Sequence, residues 1–375
     1  MGCVVGIDPG TVSFDICGRV GDTVCVDRSL STGEVGSRPE LLVEILEGAA
    51  PVDLIIGPSG YGLPWVSADE LGPREEDHLL LADGAGASGR SIVRGMGRIL
   101  EALRSSGLPV WFAPGVIHLA SVPEHRKVNR IDMGTADKLC ATALAVWEQA
   151  RRLSLPYAET SFVLVELGGA FTAVIAVEDG LIVDGCGGTA GALGYRALGA
   201  VDGELAYQLG GFAKATLATG GVAWIAGAPD MPPEELLARA SEDVRVTLAW
   251  EALLEAVSKQ VAAEVSILNA PREILLSGRL SRLPDVCRQM EERLRRHAPV
   301  RRVEGYATVA KEAAQGAALI AQGLVGGELA SLVEAMDLGA AEGSVLDHLY
   351  IDEAEDVRRR HPRPELRPAP FWERS

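Results

Sequence analysis

Two short stretches of this 375-residue sequence combine a carboxylate, glycine and a hydroxyl in an order suited to binding phosphate. The first, Asp8-Pro9-Gly10-Thr11, joins two strand-like runs. Backbone N–H groups beside Gly10 and the Thr11 hydroxyl can point at an anion while Asp8 sits next to it. A carboxylate there can hold the hydration shell of Mg2+, an ion that keeps several waters when it binds nucleotide phosphates. Alone, the same residues also make an ordinary Asp-Pro-Gly hairpin. The second stretch, Glu166-Leu167-Gly168-Gly169-Ala170-Phe171-Thr172, has the same strand-turn-strand setting. Gly168, Gly169 and Ala170 let backbone approach a phosphate chain, Thr172 adds a hydroxyl donor, and Glu166 stands at the strand end as Asp8 does in the first stretch.

Three further stretches carry candidate chemistry. EILLSGRLSRLP, residues 273–284, reads as a strand ending in Ser277-Gly278-Arg279 and then a helix, a glycine end against which adenine or ribose can lie; a plain strand-to-helix turn reads equally well. HRKVNRIDMGTADK, residues 125–138, concentrates polar groups. Asp132 or Asp137 can accept or orient a substrate proton there, and Arg126, Lys127 and Arg130 can pair with a phosphate or carboxylate; an exposed charged loop is the other reading. The runs 135–145 and 311–318 place small residues at helical spacing, which permits close helix crossing and suits a hinging contact. His118 and His125 do not make a metal pair, because Pro123 interrupts the helix that would align them.

The elements that position these residues occur twice. CVVGID, FDICGRV and TVCVDRS (3–8, 14–20, 23–29) form a three-strand meander with glycine at its turns, and FVLVEL, FTAVIAVED and LIVDGCG (162–167, 171–179, 181–187) repeat it. Helices and strands alternate after each meander, the order of the ribonuclease H-like unit. The reading is therefore an α/β protein of two ribonuclease H-like domains with mixed sheets facing an interdomain cleft. The first spans 1–155 with an insertion at 58–90 and is rejoined by a helix at 309–335. The second spans 156–308 with an insertion at 188–232, and 343–375 is an extended tail without catalytic function.

Composition narrows the function classes. Lys and Arg total 35 against 52 Asp and Glu, a net charge of −17 that opposes a nucleic-acid or acidic-lipid footprint but not one small anion in a pocket. The six cysteines form no metal-ligand spacing and read as buried free thiols in a reducing cytoplasm. No long apolar run predicts a membrane span, and a strand from Cys3 argues against lipidation of the Met-Gly-Cys start. The expected partner is a small-molecule acceptor, and a homodimer is the assembly left open.

VVGIDPGTVSFD, NRIDMGTADKLC, VELGGAFTAVI and GGTAGALGYRALGAVDGELAYQL together resemble a little-characterised family of predicted butyrate kinases, over about residues 1 to 340. That family lies in the acetate kinase, sugar kinase, heat-shock chaperone and actin superfamily. The resemblance implies ATP and Mg2+, with Asp8 and Glu166 organising the metal, their hairpins as the two phosphate motifs and Ser277-Gly278-Arg279 as the adenosine motif. Glu166 stands where the superfamily usually has Asp, and Ser277-Gly278 where many members have Gly-Gly. Related sugar kinases place a catalytic Asp at the position of Asp137, a better match than Asp132. The implied activity is phosphoryl transfer from ATP to a small acceptor such as a short-chain carboxylate. The rivals are a nucleotide-dependent conformational switch or scaffold, as in actin and chaperone relatives, and a nucleotide-binding protein that has lost activity.

Overall fold

The computed structural model describes residues 2–81 and 90–364. They form two compact units: Met1–Ile131, Thr135–Glu159 and Gly305–Ser375 make the first, and Asp132–Gly134 with Thr160–Glu304 the second.

In the first unit β1 (Cys3–Pro9), β2 (Ser13–Val20) and β3 (Thr23–Ser31) form the expected antiparallel meander. β4 (Val52–Ile56), the two-residue β5 (Val66–Ser67) and β6 (Val110–Phe112) complete a six-stranded sheet of order β3-β2-β1-β4-β6-β5. β1 runs parallel to β4, and β4 to β6. A central strand covered on both faces must be apolar throughout, which explains the unbroken run Val4, Val5 and Ile7 rather than an alternation. Val5, Ile7, Ile16 and Ile55 share one core with Leu42 and Leu46 of helix Glu40–Gly48 and Phe112 of β6. Helix Glu312–Leu324 is buried along its whole length and lies so close to β1 that a Cβ on Gly6 would overlap the Ala314 carbonyl. The same helix crosses helix Ala136–Leu153 at Gly316, where a Cβ would overlap the Cys140 carbonyl. The small residues are thus packing devices that bring two helices and a strand together.

The second unit repeats the plan. β7 (Phe162–Leu167), β8 (Thr172–Glu178) and β9 (Leu181–Cys186) form the meander, and β10 (Glu273–Ser277) and β11 (Val300–Arg302) extend it in the order β11-β10-β7-β8-β9. β10 is parallel to β7 and to β11. The β8–β9 turn places Asp179 at φ +52° and Gly180 at +78°, as a tight hairpin of this hand requires. Trp250, Leu253, Val257 and Val261 of helix Val244–Val265 and Met290 of helix Pro284–Leu294 cover the sheet. Both sheets are mixed and, apart from the extra edge strand β5 of the first, share one strand order, so the fold is the α/β, ribonuclease H-like one read from the sequence.

Several details differ from that reading. β11 is an edge strand of sequence Val-Arg-Arg, with no apolar alternation to reveal it. The segment from 343 is not simply extended: Val345, Leu346 and Leu349 are buried, and helix Ala354–Arg360 follows. Arg358 donates to the carbonyls of Leu346 (3.1 Å), Asp347 (3.3 Å) and Leu349 (2.8 Å), fixing that helix to the preceding turn. The acidic run and the prolines near 362 masked this spacing. Residues 82–89 of insertion 58–90 and residues 365–375 of the tail lie outside the described residues; 58–81 hold β5 and helix Pro73–Leu80. The cysteines are free, but Cys25 is exposed and Cys287 half-buried rather than buried, Cys25 because β3 is the sheet edge.

Candidate functional site

Asp8 is the penultimate residue of β1 and faces Asp15 of β2 across the hairpin. Two carboxylates opposed at one hairpin, Asp15 fully buried and Asp8 nearly so, require cations. Lys311, immediately before helix Glu312–Leu324, supplies one: its Nζ lies 3.1 Å from Asp15 Oδ2 and donates to Ser13 Oγ, while Ser13 Oγ donates to Asp15 Oδ2 at 2.7 Å. Lys138 supplies another, 2.5 Å from Asp137 Oδ2, and Thr135 Oγ1 donates to Asp137 Oδ1. Asp137 stands in the first turn of helix Ala136–Leu153, where the helix dipole favours a carboxylate. Burial, and after it the charge of Asp137, hold the Asp8 carboxyl well above its usual range. For Asp137 the effect of burial is outweighed by the charge and hydrogen bond of Lys138 and by Thr135, so it titrates below its usual range.

A small pocket opens beside this cluster, with Ile7, Ile56, Ala113 and Cys140 as apolar walls and Ser59 and Asp137 as polar ones. The Ser59 hydroxyl and Asp15 Oδ1 are buried without a hydrogen-bond partner among the described residues. Among those residues no three His, Cys, Asp or Glu side chains form a metal cage. Mg2+ does not need one, since it is held by one or two carboxylates and several waters. Asp8 beside Asp137, with an unsatisfied oxygen on Asp15, is a donor set that a hydrated Mg2+ fits.

In the second unit Glu166 is the penultimate residue of β7, the place Asp8 has in β1, and it pairs with Ser277 at the end of β10. A Cβ on Gly168 would meet the Phe171 carbonyl at 2.6 Å and Glu166 Oε1 at 3.2 Å. A Cβ on Gly278, whose φ is +82°, would come within 2.5 Å of Glu166 Oε1. The hairpin and the strand end therefore meet at the Glu166 carboxylate, with Gly169 near Arg279, whose Cδ lies 3.6 Å from a Cβ built there. Arg279 is held by Glu234 in a two-pronged pair at 2.9 and 3.2 Å. Ala170 is buried, its carbonyl accepting from Arg196 and Ala197 N–H groups. Thr172 and Ser277 are fully buried, their hydroxyls without a partner among the described residues.

The remaining candidates have other surroundings. Thr11 is exposed, and the Gly10 carbonyl accepts from Thr32 Oγ1 at 2.7 Å. Arg130 is exposed in a turn. Asp132 belongs to the second unit, where its carboxylate accepts from Thr189 N (2.9 Å), Thr189 Oγ1 (2.8 Å) and Gly134 N (3.2 Å), closing a loop. His118 is buried with Nδ1 against Gly115, and His125 is exposed. Sequence reasoning passed over Asp15, Lys138 and Lys311 as site residues. The opposition of Asp8 to Asp15 in a two-strand register was the available clue, because it demands a cation from elsewhere.

A family model described as "Protein of unknown function (DUF1464)" matches residues 6–351. No curated protein matches the sequence. Among solved structures, the chain is similar to a propionate kinase from Francisella tularensis subsp. tularensis, with 14% identity, TM-score 0.60, and 84% of this chain and 99% of that one covered. It is similar to an acetate kinase from Entamoeba histolytica at 10% identity and TM-score 0.55, covering 78% and 87%. The acetate kinase of Porphyromonas gingivalis gives 14% identity and TM-score 0.53, covering 79% and 88%. At these identities the likeness is one of fold.

Proposed function

The chain belongs to that DUF1464 family, and we propose that it is an ATP-dependent phosphotransferase moving the γ-phosphoryl group of ATP to a small acceptor. One observation carries the reading: each of two units built on the same three-strand meander has a penultimate carboxylate in its first strand, followed by a glycine hairpin. Phosphoryl transfer asks the protein mainly for positioning and charge neutralisation, and these hairpins offer both. In the first unit Asp8 organises the hydration shell of Mg2+, which when bound neutralises charge on the phosphates, and Gly10 and Thr11 lie beside it. In the second, Glu166, Gly168, Gly169 and Ala170 form the other phosphate turn, and Ser277, Gly278 and Arg279 border the nucleoside. The fold shared with propionate and acetate kinases supports this reading.

A short-chain carboxylate is the acceptor we favour, because the fold is shared with propionate and acetate kinases. Such a nucleophile is already ionised at neutral pH and needs no base. An alcohol would need one, and Asp137, kept ionised by Lys138, is the group placed to accept its proton. The six free cysteines suit a reducing cytoplasm. The test is ADP formation with Mg2+ across a panel of short-chain acids and polyols. An acceptor-dependent rate that Asp8→Ala abolishes supports the reading; ADP formation stimulated only by a protein partner, or untouched by Asp8→Ala, rejects it.

A further inference from the structure

The loop that leads into helix Glu312–Leu324 is held in an unusual way. Six consecutive backbone N–H groups, from Gly305 to Ala310, all donate to side chains. Gly305 N–H donates to Glu148 Oε2 at 2.8 Å; Tyr306 and Ala307 donate to Gln315 Oε1 at 2.7 and 3.0 Å. Thr308, Val309 and Ala310 donate to the single carboxylate of Asp27 at 2.9, 3.0 and 2.6 Å, and Thr308 Oγ1 joins them at 2.8 Å. Gln315 Nε2 returns a hydrogen bond to the Ala310 carbonyl at 2.7 Å, and Arg19 stacks over the Tyr306 ring at 4.4 Å. A surface connection usually leaves such groups to water. Here Asp27, Gln315 and Glu148 fix the loop, and the residue it delivers is Lys311.

The Lys311 ammonium has three protons to donate. Among the described residues two acceptors take them, Ser13 Oγ and Asp15 Oδ2 at 3.1 Å. Its side chain is 30% exposed, and its Nζ lies 3.7 Å from where a Cβ on Gly10 would stand, so the ammonium borders the glycine of the first hairpin with one donor to spare. We propose that Lys311 contacts the phosphate chain of the bound nucleotide at this hairpin, aimed by Asp15 and Ser13 and held in place by the 305–310 loop. The proposal rests on the phosphotransferase reading and adds a phosphate-binding residue to it. An ion pair that served only to neutralise buried Asp15 would need no loop locked at every N–H and no glycine beside the ammonium.

Calorimetric titration of ATP, ADP and adenosine, with Mg2+, into the full chain and its Lys311→Met and Lys311→Arg variants tests this. Losing one charged hydrogen bond to phosphate should weaken ATP and ADP binding about ten- to hundred-fold. Adenosine affinity should stay within about twofold of wild type, and Lys311→Arg should recover part of the loss. Because Lys311→Met strands a buried carboxylate, the double variant Asp15→Asn with Lys311→Met is measured alongside, against Asp15→Asn alone as its reference, and should show the same selectivity relative to that reference. Equal losses for ATP and adenosine, or no loss for either, would overturn the proposal while leaving wild-type nucleotide binding intact. A wild-type chain that binds no nucleotide would overturn the phosphotransferase reading itself, and this proposal with it.

Discussion

Replacing Gly278 by alanine perturbs the second unit at its most constrained point. The backbone there has φ +82° and ψ 175°, a region that costs any residue but glycine about 1–3 kcal/mol. The added methyl would also come within 2.5 Å of Glu166 Oε1 and 2.6 Å of the Leu167 carbonyl oxygen. The carboxylate can swing away, but the carbonyl can retreat only by moving the end of β7, which adds about 1–3 kcal/mol of overpacking. A total of about 4 kcal/mol lowers the melting temperature of a unit this size by roughly 8–16 °C. Gly210 provides the comparison: its φ is +62°, yet a Cβ there meets nothing within 4 Å, so Gly210→Ala should cost only about 1–2 kcal/mol of left-handed strain. Scanning calorimetry with and without ATP reads both consequences. Gly278→Ala should melt well below Gly210→Ala and lose much of the stabilisation that ATP confers on the wild type. Equal melting temperatures, or undiminished stabilisation by ATP, would refute the reasoning.

Gly316→Ala should destabilise the first unit by about 3 kcal/mol, the upper end of overpacking because a backbone carbonyl of Cys140 blocks the methyl; Gly48→Ala, in open space, should be neutral, and urea midpoints compare them. Burial lowers the His118 pKa from its usual value to about 3, so between that pH and about 6.5 the unfolded chain binds a proton the folded one refuses. Stability from this residue is complete above about 6.5 and falls by about 1.4 kcal/mol per unit as pH drops; urea unfolding of His118→Asn at pH 7 and pH 5 should show a shallower decline, and an unchanged slope would count against it. Burial would raise Asp27, but the hydrogen bonds from Ala310 and Thr308 prevail and lower its pKa, so its contribution is present above the usual carboxylate range and lost as pH falls below it. Asp27→Asn should therefore loosen the 305–310 loop at neutral pH, measured as faster amide exchange at Thr308, Val309 and Ala310 and a smaller loss of ATP affinity than Lys311→Met gives.

The fold was legible because each local cue agreed with the next. Gly21-Asp22 and Asp179-Gly180 sit at hairpin turns, and the first strand of each meander, CVVGID and FVLVEL, is too continuously apolar for a half-exposed strand, so the two meanders announce themselves. The strand-end positions of Asp8, Glu166 and Gly278 beside glycine were legible for the same reason. Lys311 and Asp27 were not, because their meaning lies in contacts between residues far apart in the chain, and a lysine before a helix or an aspartate in an edge strand carries no pattern of its own. Asp132 misled in the opposite direction. Its polar neighbourhood in sequence suggested a proton acceptor, whereas its carboxylate is occupied by the Thr189 and Gly134 donors that close a loop.

The most direct measurement is the binding of ATP to the full chain with and without Mg2+, in the wild type and in Asp8→Ala. The account predicts one ATP per chain, bound markedly more tightly with Mg2+ than without it, and an Asp8→Ala variant in which that Mg2+ effect is gone. ATP that fails to bind, or binds with the same Mg2+ dependence after Asp8 is removed, would contradict it.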